Sequence, residues 1–580
     1  MEKFKIYIND EEIIANEGEK ILKIAQKNAI YIPALCYHCD IAPHESCRLC
    51  MVEIVGEKKL KTACSLIAKP DMKIYTDTPL VRKVLKTNLE LLFAQHEGKC
   101  ETCNRAASCK LRELAERYSF DTKKYSDRKK NYPKYQFGPS IILEQSKCIS
   151  CENCSEICAK QTKEGFLKLK DGRYDFEVVP SKEKKQDCIY CGQCIMHCPT
   201  GALSEVEDYH EVEKHLKNPK KKVIFQFAPS VRTSLGEEFG LAPGENVTDK
   251  IFSALKQVGA YKIFDTSFGA DVTIIEEAKE LIEKIEKSDN TVMLSSCCPA
   301  WVKYVEFYEP DLAKYLTSVR SPQIIIGGLI KKYWAKKENI NPKDIVVVSI
   351  MPCTAKKFES LRKELNVGEH PPVDYSLTVR EFAKLLKENN IDLAKIKPDK
   401  SGKELLANPS GAGEIFGSSG GVLEAALRTV YYDLTGKELE NLEFEALHRF
   451  ERTKVAEVEI KGKKLQVVAV NGMENAKKIV EEIKKDPERY AYVEVMACPG
   501  GCIGGGGQPI PTDDDIRQAR AAGLYSSDEK RTVRTSHGNP GIKIIYDEFL
   551  NDEKNIKNIC HTYFNFKTKK KGRIKKIGKG

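Results

Sequence analysis

Two runs of cysteine constrain this chain more than any other feature in it. Cys148, Cys151, Cys154 and Cys158 are spaced C-x2-C-x2-C-x3-C, and Cys188, Cys191, Cys194 and Cys198 repeat that spacing, the second run followed by Pro199. The opening residues, MEKFKIYIND, show no secretory apolar segment, so the thiols are expected to stay reduced in a cytoplasmic protein and to bind metal rather than to pair. The other cysteines agree: of 22, sixteen lie in the first 200 residues and none lies between Cys198 and Cys297. Two halves follow, one dense in metal sites and a larger one whose cysteines come as pairs and singles.

At 580 residues the chain exceeds a single domain and has room for a large core. Its mean hydropathy of -0.43 and the absence of any apolar stretch near 18 residues exclude a membrane span. Net charge is concentrated at one place. The last fourteen residues, KTKKKGRIKKIGKG, hold eight of the Lys and Arg and no acid, so of the formal +10 only +2 belongs to the remainder. Residues 567–580 therefore read as a basic flexible tail, solvated or docked to an acidic partner. Nucleic acid is not an expected partner, because the rest of the chain is nearly neutral and carries no basic-aromatic groove.

Alternating Phe4, Ile6 and Ile8, then Ile13 and Ile14 beyond Asn9-Asp10, predict a hairpin, and Ile21, Leu22, Ile24 and Ala25 a helix. Strand, strand and helix suit a β-grasp domain over 1–78. Within it Cys36, Cys47, Cys50 and Cys64 run C-x10-C-x2-C-x13-C, four thiolates for a 2Fe-2S cluster, with zinc the alternative for any CxxC pair. Cys39 also makes a CxxC with Cys36 and could replace it; the spacing favours Cys36. A helix through Leu85 to Phe93 leads into His96, Cys100, Cys103 and Cys109, in a unit placed at 79–126. A lone His beside cysteines is commonly a surface residue, but three cysteines leave a 4Fe-4S cubane one ligand short, a position the His96 imidazole can supply. The repeat itself forms a ferredoxin-like unit over 127–209. As in two-cluster bacterial ferredoxins, the last cysteine of each run is expected to cross over: Cys198 joins Cys148, Cys151 and Cys154, and Cys158 joins Cys188, Cys191 and Cys194.

From about Val223 the texture changes to apolar runs alternating with helical stripes, the pattern of parallel sheets covered by helices. VIFQF precedes Ala228-Pro229-Ser230, and KIFD precedes a helix from about Asp271 to Glu286. TVML leads into Ser295-Ser296-Cys297-Cys298-Pro299-Ala300-Trp301, IVVVSI into Met351-Pro352-Cys353-Thr354-Ala355-Lys356-Lys357, and YVEV into Met496-Ala497-Cys498 and Cys502. Each motif sits past the carboxyl end of a strand, where open α/β sheets place their sites. The expected fold class is multidomain: α+β in the metal-dense half, and a large α/β domain with parallel sheets over 210–566.

These three motifs resemble the signatures of FeFe hydrogenases, and the 2Fe-2S motif and the histidine-plus-three-cysteine motif resemble those heading complex-I-type and hydrogenase chains. The resemblance covers roughly residues 1 to 565. It implies one 2Fe-2S cluster, three accessory 4Fe-4S clusters and an H-cluster. The H-cluster is a 4Fe-4S cubane on Cys298, Cys353, Cys498 and Cys502, with Cys502 bridging to a two-iron unit carrying CO, cyanide and an azadithiolate. Lys356, Ser230 and Gln323 are then donors toward cyanide, and Met351 and Met496 soft packing around the diatomic ligands. Cys297 is a thiol left off the cubane that exchanges protons with the bridgehead amine. Glu277, Thr317 and Glu280 extend the proton path, with Lys284 where a family arginine often marks the exit. The competing reading places Glu277 and Glu280 on the solvated face of the helix EEAKELIEKIEK.

The implied activity is reversible interconversion of H2 with protons and electrons. Electrons would pass to ferredoxin or flavodoxin, or to NAD(P)- or flavin-binding partner subunits, since no GxGxxG stands in the chain. CRLCMVEI at Cys47 and HTYF at His561 lean toward the multi-subunit type, and maturation proteins would supply the two-iron unit. A non-catalytic hydrogenase-like assembly or electron-transfer protein is the alternative. The presence of Cys297, Lys356, Met351, Met496, Glu277 and Thr317 together argues for catalysis. Cys39 and Cys560 are left without a ligand role.

Overall fold

The positive φ of Asn9 and Asp10, 52° and 68°, closes the first hairpin in the turn whose twist matches its strands. In the computed structural model, which describes residues 2–579 apart from 97, 99, 123, 125–131, 164, 172–175, 400–403, 440–444, 449 and 565–571, β1 (Lys3–Ile8) and β2 (Glu11–Asn16) pair antiparallel through this turn. Ile6, Ile8, Ile13 and Ala15 point inward onto the helix Ile21–Lys27. With β3 (Met51–Ile54), β4 (Lys61–Thr62) and β5 (Lys73–Tyr75) the sheet order is β2-β1-β5-β3-β4, β5 lying parallel to β1.

The next helix runs Pro79–Ala94, six residues further toward the N-terminus than its apolar stripe shows, because the Thr78 side chain accepts from the Val81 N–H and Pro79 occupies the first turn. Its Leu85, Leu89 and Phe93 pack with Leu35, Cys36 and Cys47 on one side and Leu111 and Leu114 on the other, so the first two units share a core. β6 (Pro133–Phe137), β7 (Ile141–Glu144), β8 (Leu167–Asp171), β9 (Phe176–Pro180) and β10 (Leu203–Glu205) follow, with β10-β7-β6 in one antiparallel sheet and β8-β9 a separate pair.

In the larger half come β11 (Lys222–Phe227), β12 (Lys262–Asp265), β13 (Met293–Leu294), β14 (Ile345–Met351), β15 (Tyr375–Thr378), β16 (Thr453–Ile460), β17 (Lys463–Asn471) and β18 (Tyr492–Met496). One sheet, β12-β11-β14-β15, is entirely parallel, and every residue of β14 is buried, as a strand covered on both faces requires. In the other, β13-β18-β17-β16, the first three strands are parallel and β16 is antiparallel to β17. That antiparallel edge departs from the parallel expectation. Its cause is local: β16 buries alternate residues, and Lys461 and Gly462, both at positive φ, turn the chain straight back.

The long helix begins at Thr266, five residues before the expected Asp271, because Asp265 ends β12 and caps the helix by accepting from Ser267 N–H. Ser267, which lies before the expected start, and Asp271, expected at it, are buried in a polar net; Asp271 accepts hydrogen bonds from Ser410, Ser536 and Asn539.

The basic tail differs most from expectation. Its end forms β19 (Ile574–Lys579), which pairs antiparallel with β6, so these residues are an ordered edge strand rather than a flexible segment. Ile574 provides the reason, packing with Tyr135 against the core shared by the ferredoxin-like unit and the large domain. Residues 567–571 of the expected tail lie outside the described residues. No described helix is long and apolar enough to cross a membrane.

Candidate active site

Strands β13, β14 and β18 all end at one place, and each releases a cysteine loop there: Cys297-Cys298 after β13, Cys353 after β14, and Cys498 with Cys502 after β18. None of the 22 cysteines is in a disulfide. Burial pushes the Cys353 thiol up to about 12, with Cys298 beside it adding to the effect. Cys498 is pushed well up by burial and by its neighbours Cys353, Cys191, Cys298 and Cys502. Burial makes Cys353, Cys498 and Cys502 resist ionisation, and a cationic metal centre is the group that would let them bind as thiolates beside Cys298. The donor set therefore fits an iron-sulfur cubane. Gly501, at a φ of +94°, lets its loop pass the Met496 sulfur, which would stand 2.6 Å from an added Cβ.

Around this place Lys356 is mostly buried, and its Nζ donates to the Cys297 carbonyl at 3.2 Å and to Glu359 at 2.8 Å. Burial alone would lower the Lys356 pKa; Glu359 outweighs it and keeps the ammonium charged. Glu359 also accepts from Gln323 Nε2 at 2.6 Å and from Ser321 at 2.9 Å, so one carboxylate positions both Lys356 and Gln323. Ser230 is buried with its hydroxyl 3.4 Å from Gln508 Nε2. Met351 and Met496 are buried where the motifs leave their strands.

A line of titratable groups leads away. Cys297 is buried, and burial followed by Glu277 holds its thiol protonated. Glu277 is fully buried, which excludes the solvated-face reading, and burial raises its pKa to about 8 against the opposing hydrogen bond from Tyr492 Oη at 2.6 Å. Glu280, three residues on, accepts from Thr317 Oγ1 at 2.5 Å and from both the backbone and hydroxyl of Ser318. The Ser318 hydroxyl lies 2.8 Å from His561 Nδ1, and His561 Nε2 lies 2.8 Å from Glu276. Burial would lower the His561 pKa, but its bonds to Glu276 and Glu280 outweigh that and raise it to about 9. Glu276, which burial would raise, is instead brought down to about 2 by His561, Lys279 and Tyr546.

Two expectations change here. Thr317 contacts Glu280, while the hydroxyl bonded to Glu277 is that of Tyr492. Lys284 pairs with Asp289 at 2.5 Å and Thr291 at 2.9 Å, away from the line, and the cation beside Glu280 is His561. Tyr492, Ser318, His561 and Glu276 were missed as site residues. Tyr492 looks like core in a buried strand, and His561 joins from 281 residues beyond Glu280, so only the HTYF motif could have pointed to it.

The other cysteines form further groups. Cys198 lies beside Cys148, Cys151 and Cys154, while Cys158 lies beside Cys188, Cys191 and Cys194, so the last cysteine of each run crosses to the other group. Cys191 in turn neighbours Cys353 and Cys298. There the Thr354 hydroxyl donates to the Tyr190 carbonyl at 2.7 Å and Gln193 Nε2 to the Gly504 carbonyl at 2.9 Å. Cys36 Sγ is 3.4 Å from Cys47 Sγ, and Cys50 is close to both Cys64 and Cys36. Cys39 is exposed, with its sulfur 3.7 Å from His38, whereas Cys36 is buried among the four. His96 Nδ1 is 2.8 Å from the Lys147 carbonyl, and Cys100, Cys103 and Cys109 are neighbours. Cys560 is a buried thiol whose backbone carbonyl accepts from Arg320 N–H.

Comparison with known proteins gives the same order of parts. Residues 221–506 match the C-terminal domain of the iron only hydrogenase large subunit, and 514–566 the iron hydrogenase small subunit. Residues 1–79 match a 2Fe-2S iron-sulfur cluster binding domain, 86–124 the NADH-ubiquinone oxidoreductase-G iron-sulfur binding region, and 185–204 a 4Fe-4S binding domain. The NADP-reducing hydrogenase subunit HndD of Solidesulfovibrio fructosivorans is 38% identical over 97% of this chain and 99% of its own length. Iron hydrogenase 1 of Clostridium pasteurianum is 37% identical over 97% and 100%. A solved structure of FeFe hydrogenase HydA1 from Chlamydomonas reinhardtii superimposes with a TM-score of 0.56 at 35% identity, covering 62% of this chain and 98% of that one. With three cysteine loops converging beside a buried line of proton-bearing groups, and relatives matched from end to end, the chain belongs to the FeFe hydrogenase large-subunit family and is an enzyme.

Proposed function

We propose that the chain interconverts H2 with two protons and two electrons at an H-cluster held by Cys298, Cys353, Cys498 and Cys502. One observation carries the reading: the line begins beside the four cysteines with Cys297 and Glu277, which burial keeps protonated, and continues to Glu280, whose pKa burial would raise but His561, Ser318 and Thr317 lower, so that it is a carboxylate able to accept protons. The bound cluster would supply the redox and hydride chemistry. Lys356, kept charged by Glu359, together with Gln323 and Ser230, provides polar contacts around the two-iron unit, and Met351 and Met496 shape its apolar wall. Cys297 keeps its proton because it is buried, so it can donate and then be refilled. Glu277, with a pKa of about 8, refills it. Glu280 draws from Ser318 and from His561, which is cationic at neutral pH and brings the path to a partly exposed position.

The four N-terminal groups would hold one 2Fe-2S cluster (Cys36, Cys47, Cys50, Cys64) and three 4Fe-4S clusters. The ligand sets of the last three are His96 with Cys100, Cys103 and Cys109; Cys148, Cys151, Cys154 and Cys198; and Cys188, Cys191, Cys194 and Cys158. The His96 Nδ1–H donates to the Lys147 carbonyl, a tautomer that puts the lone pair on Nε2 for iron. The corresponding domains are a β-grasp unit at 1–78, the unit carrying His96 and its three cysteines at 79–126, the ferredoxin-like unit at 127–209 and the catalytic domain at 210–566. Electrons would leave to ferredoxin or flavodoxin, or to a nicotinamide- or flavin-bearing partner subunit, as the name of the HndD relative suggests. Maturation proteins would deliver the two-iron unit. The test is insertion of a synthetic two-iron cofactor into protein with reconstituted iron-sulfur clusters, followed by infrared spectroscopy and an H2 assay. Cyanide and CO bands with H2 turnover are expected; an absence of both refutes the reading.

A further inference from the structure

The ordered end of the basic tail has no place in the chemistry above, yet it is fastened at a specific point. Gly572 N–H donates to Asp187 Oδ2 at 2.8 Å, Gly138 N–H donates to the Arg573 carbonyl at 2.9 Å, and Ile574 stands opposite Phe137 in the β6 ladder. Asp187 immediately precedes Cys188, and Tyr190 lies between Cys188 and Cys191. Only glycine fits at 572, since an added Cβ would lie 2.1 Å from the Tyr190 hydroxyl. The strand is thus joined to the loop that carries Cys188 and Cys191.

Alternation along the strand turns Ile574 inward and Arg573 and Lys575 to the opposite face, and Arg573, Lys575 and Lys576 are all exposed. Asp187, which accepts from Gly572, is already neutralised by Lys303 at 3.1 Å. Lysines on an edge strand commonly serve to block strand addition from other molecules. Here Arg573, Lys575 and Lys576 set three exposed cations close together on a strand whose place is fixed by its pairing with β6. A concentrated positive field at a fixed place steers a negatively charged partner and sets how it docks.

We propose that β19 is a docking surface for an acidic, protein-borne one-electron carrier, and that electrons exchanged there pass through the Cys188-Cys191-Cys194-Cys158 site. The proposal rests on the hydrogenase reading of that site and goes beyond it by naming the surface and its partner. Each encounter moves one electron between carrier and protein, so two encounters match the two electrons of one H2. Because Cys191 neighbours Cys353 and Cys298, this route is shorter than one beginning at the Cys36 group.

The test uses the full chain with its clusters in place and the triple variant Arg573→Gln, Lys575→Gln, Lys576→Gln, which keeps Gly572 and Ile574. H2-driven reduction is measured with a bacterial two-cluster ferredoxin of net negative charge and with methyl viologen, at about 20 mM and about 500 mM salt, which spans weak to strong screening. The expected result at low salt is a rise of about fivefold in the ferredoxin KM with kcat and the viologen rate unchanged, the difference vanishing at high salt. An unchanged ferredoxin KM at low salt overturns the proposal. An equal fall with both acceptors also overturns it, because it shows a structural role. Failure of the unaltered protein to reduce viologen with H2 would instead remove the hydrogenase reading, and the docking proposal with it.

Discussion

Glu277 shows how much of the chemistry rests on where a residue is buried rather than on what it is. In solvent its carboxyl would titrate near 4.5; buried under β18 it holds its proton to about 8, and Tyr492 is the group that keeps it from rising further. Glu277→Gln is expected to cut H2 turnover by roughly 10²-fold or more while leaving the infrared bands of the two-iron unit in place. Loss of the bands would show a structural role instead. Proton reduction should fall as pH rises through about 8, where Glu277 loses its proton, and Tyr492→Phe, by removing the hydrogen bond that favours the carboxylate, should move that alkaline limb to higher pH. His561 adds a stability signature. Its pKa rises from 6.5 to about 9 on folding, so its contribution is complete below pH 6.5 and lost as pH climbs through 9. Glu277 acts in the same direction, since the folded chain holds a proton between pH 4.5 and 8 that the unfolded chain releases. Thermal stability should therefore decline from pH 6.5 to 9, and less steeply in His561→Gln. Cys297, Glu277 and Glu280 were legible through the resemblance of their motifs, since the spacing of the two glutamates alone fits a solvated helix face as well. Tyr492 and Ser318 were not, because a hydroxyl becomes part of a proton path only through what it touches.

At the level of elements, motif and position agree well: β13, β14 and β18 each deliver cysteines from their carboxyl ends, as their apolar runs predict. What the runs could not show was direction. β16 alternates apolar and polar residues where β14 is apolar throughout, and with the two-residue turn at Lys461-Gly462 that alternation makes it the antiparallel edge. The Thr266–Glu286 helix looks shorter in the sequence because its first turn is capped by Asp265, the last residue of β12, and its Ser267 is buried rather than solvated. A close backbone contact between elements lies where the 504–507 loop meets the Cys191 loop. A Cβ at Gly506 would stand 2.3 Å from the Cys191 carbonyl and 2.6 Å from Gly192 Cα, backbone that cannot yield cheaply. Gly506→Ala should cost about 1–3 kcal/mol and push the two loops apart. The expected outcome is a lower melting temperature together with slower H2-driven reduction of the accessory clusters. A melting temperature equal to that of the unaltered chain would show that the loops have slack the structure does not display.

For the molecule as a whole, the question is what keeps the metal-dense half in register with the large domain, and Asp40 answers much of it. It follows the Tyr37-His38-Cys39 stretch, where the sequence offered only an ambiguous extra ligand. Its carboxylate lies 3.2 Å from His197 Nε2 in the ferredoxin-like unit, 3.1 Å from Arg452 Nη2, and 3.0 Å from Arg517 Nη1 in the segment that matches the small subunit. These partners are 157, 412 and 477 residues away, which is why no local pattern announces them. Burial alone would raise the Asp40 pKa; His197 and Arg517 outweigh it and hold the carboxyl well below the usual range. Its stabilising effect is therefore complete above the ordinary carboxylate pKa near 3.8 and lost as pH falls below it. Removing one member of a buried ion network leaves the others uncompensated, and the Arg517 side chain is fully buried. Asp40→Ala should accordingly destabilise the junction by about 3–5 kcal/mol at neutral pH. Because three units meet at this residue, the loss should appear as separation: calorimetry should resolve an early transition for the N-terminal units ahead of the large domain, where the unaltered chain melts in closer concert. Hydrogen turnover with methyl viologen should survive longer on heating than reduction of the 2Fe-2S cluster by H2, since the first needs only the large domain and the second needs the units docked. A single transition at an unchanged temperature would place the restraint elsewhere, in the apolar contacts of the ferredoxin-like unit with the large domain.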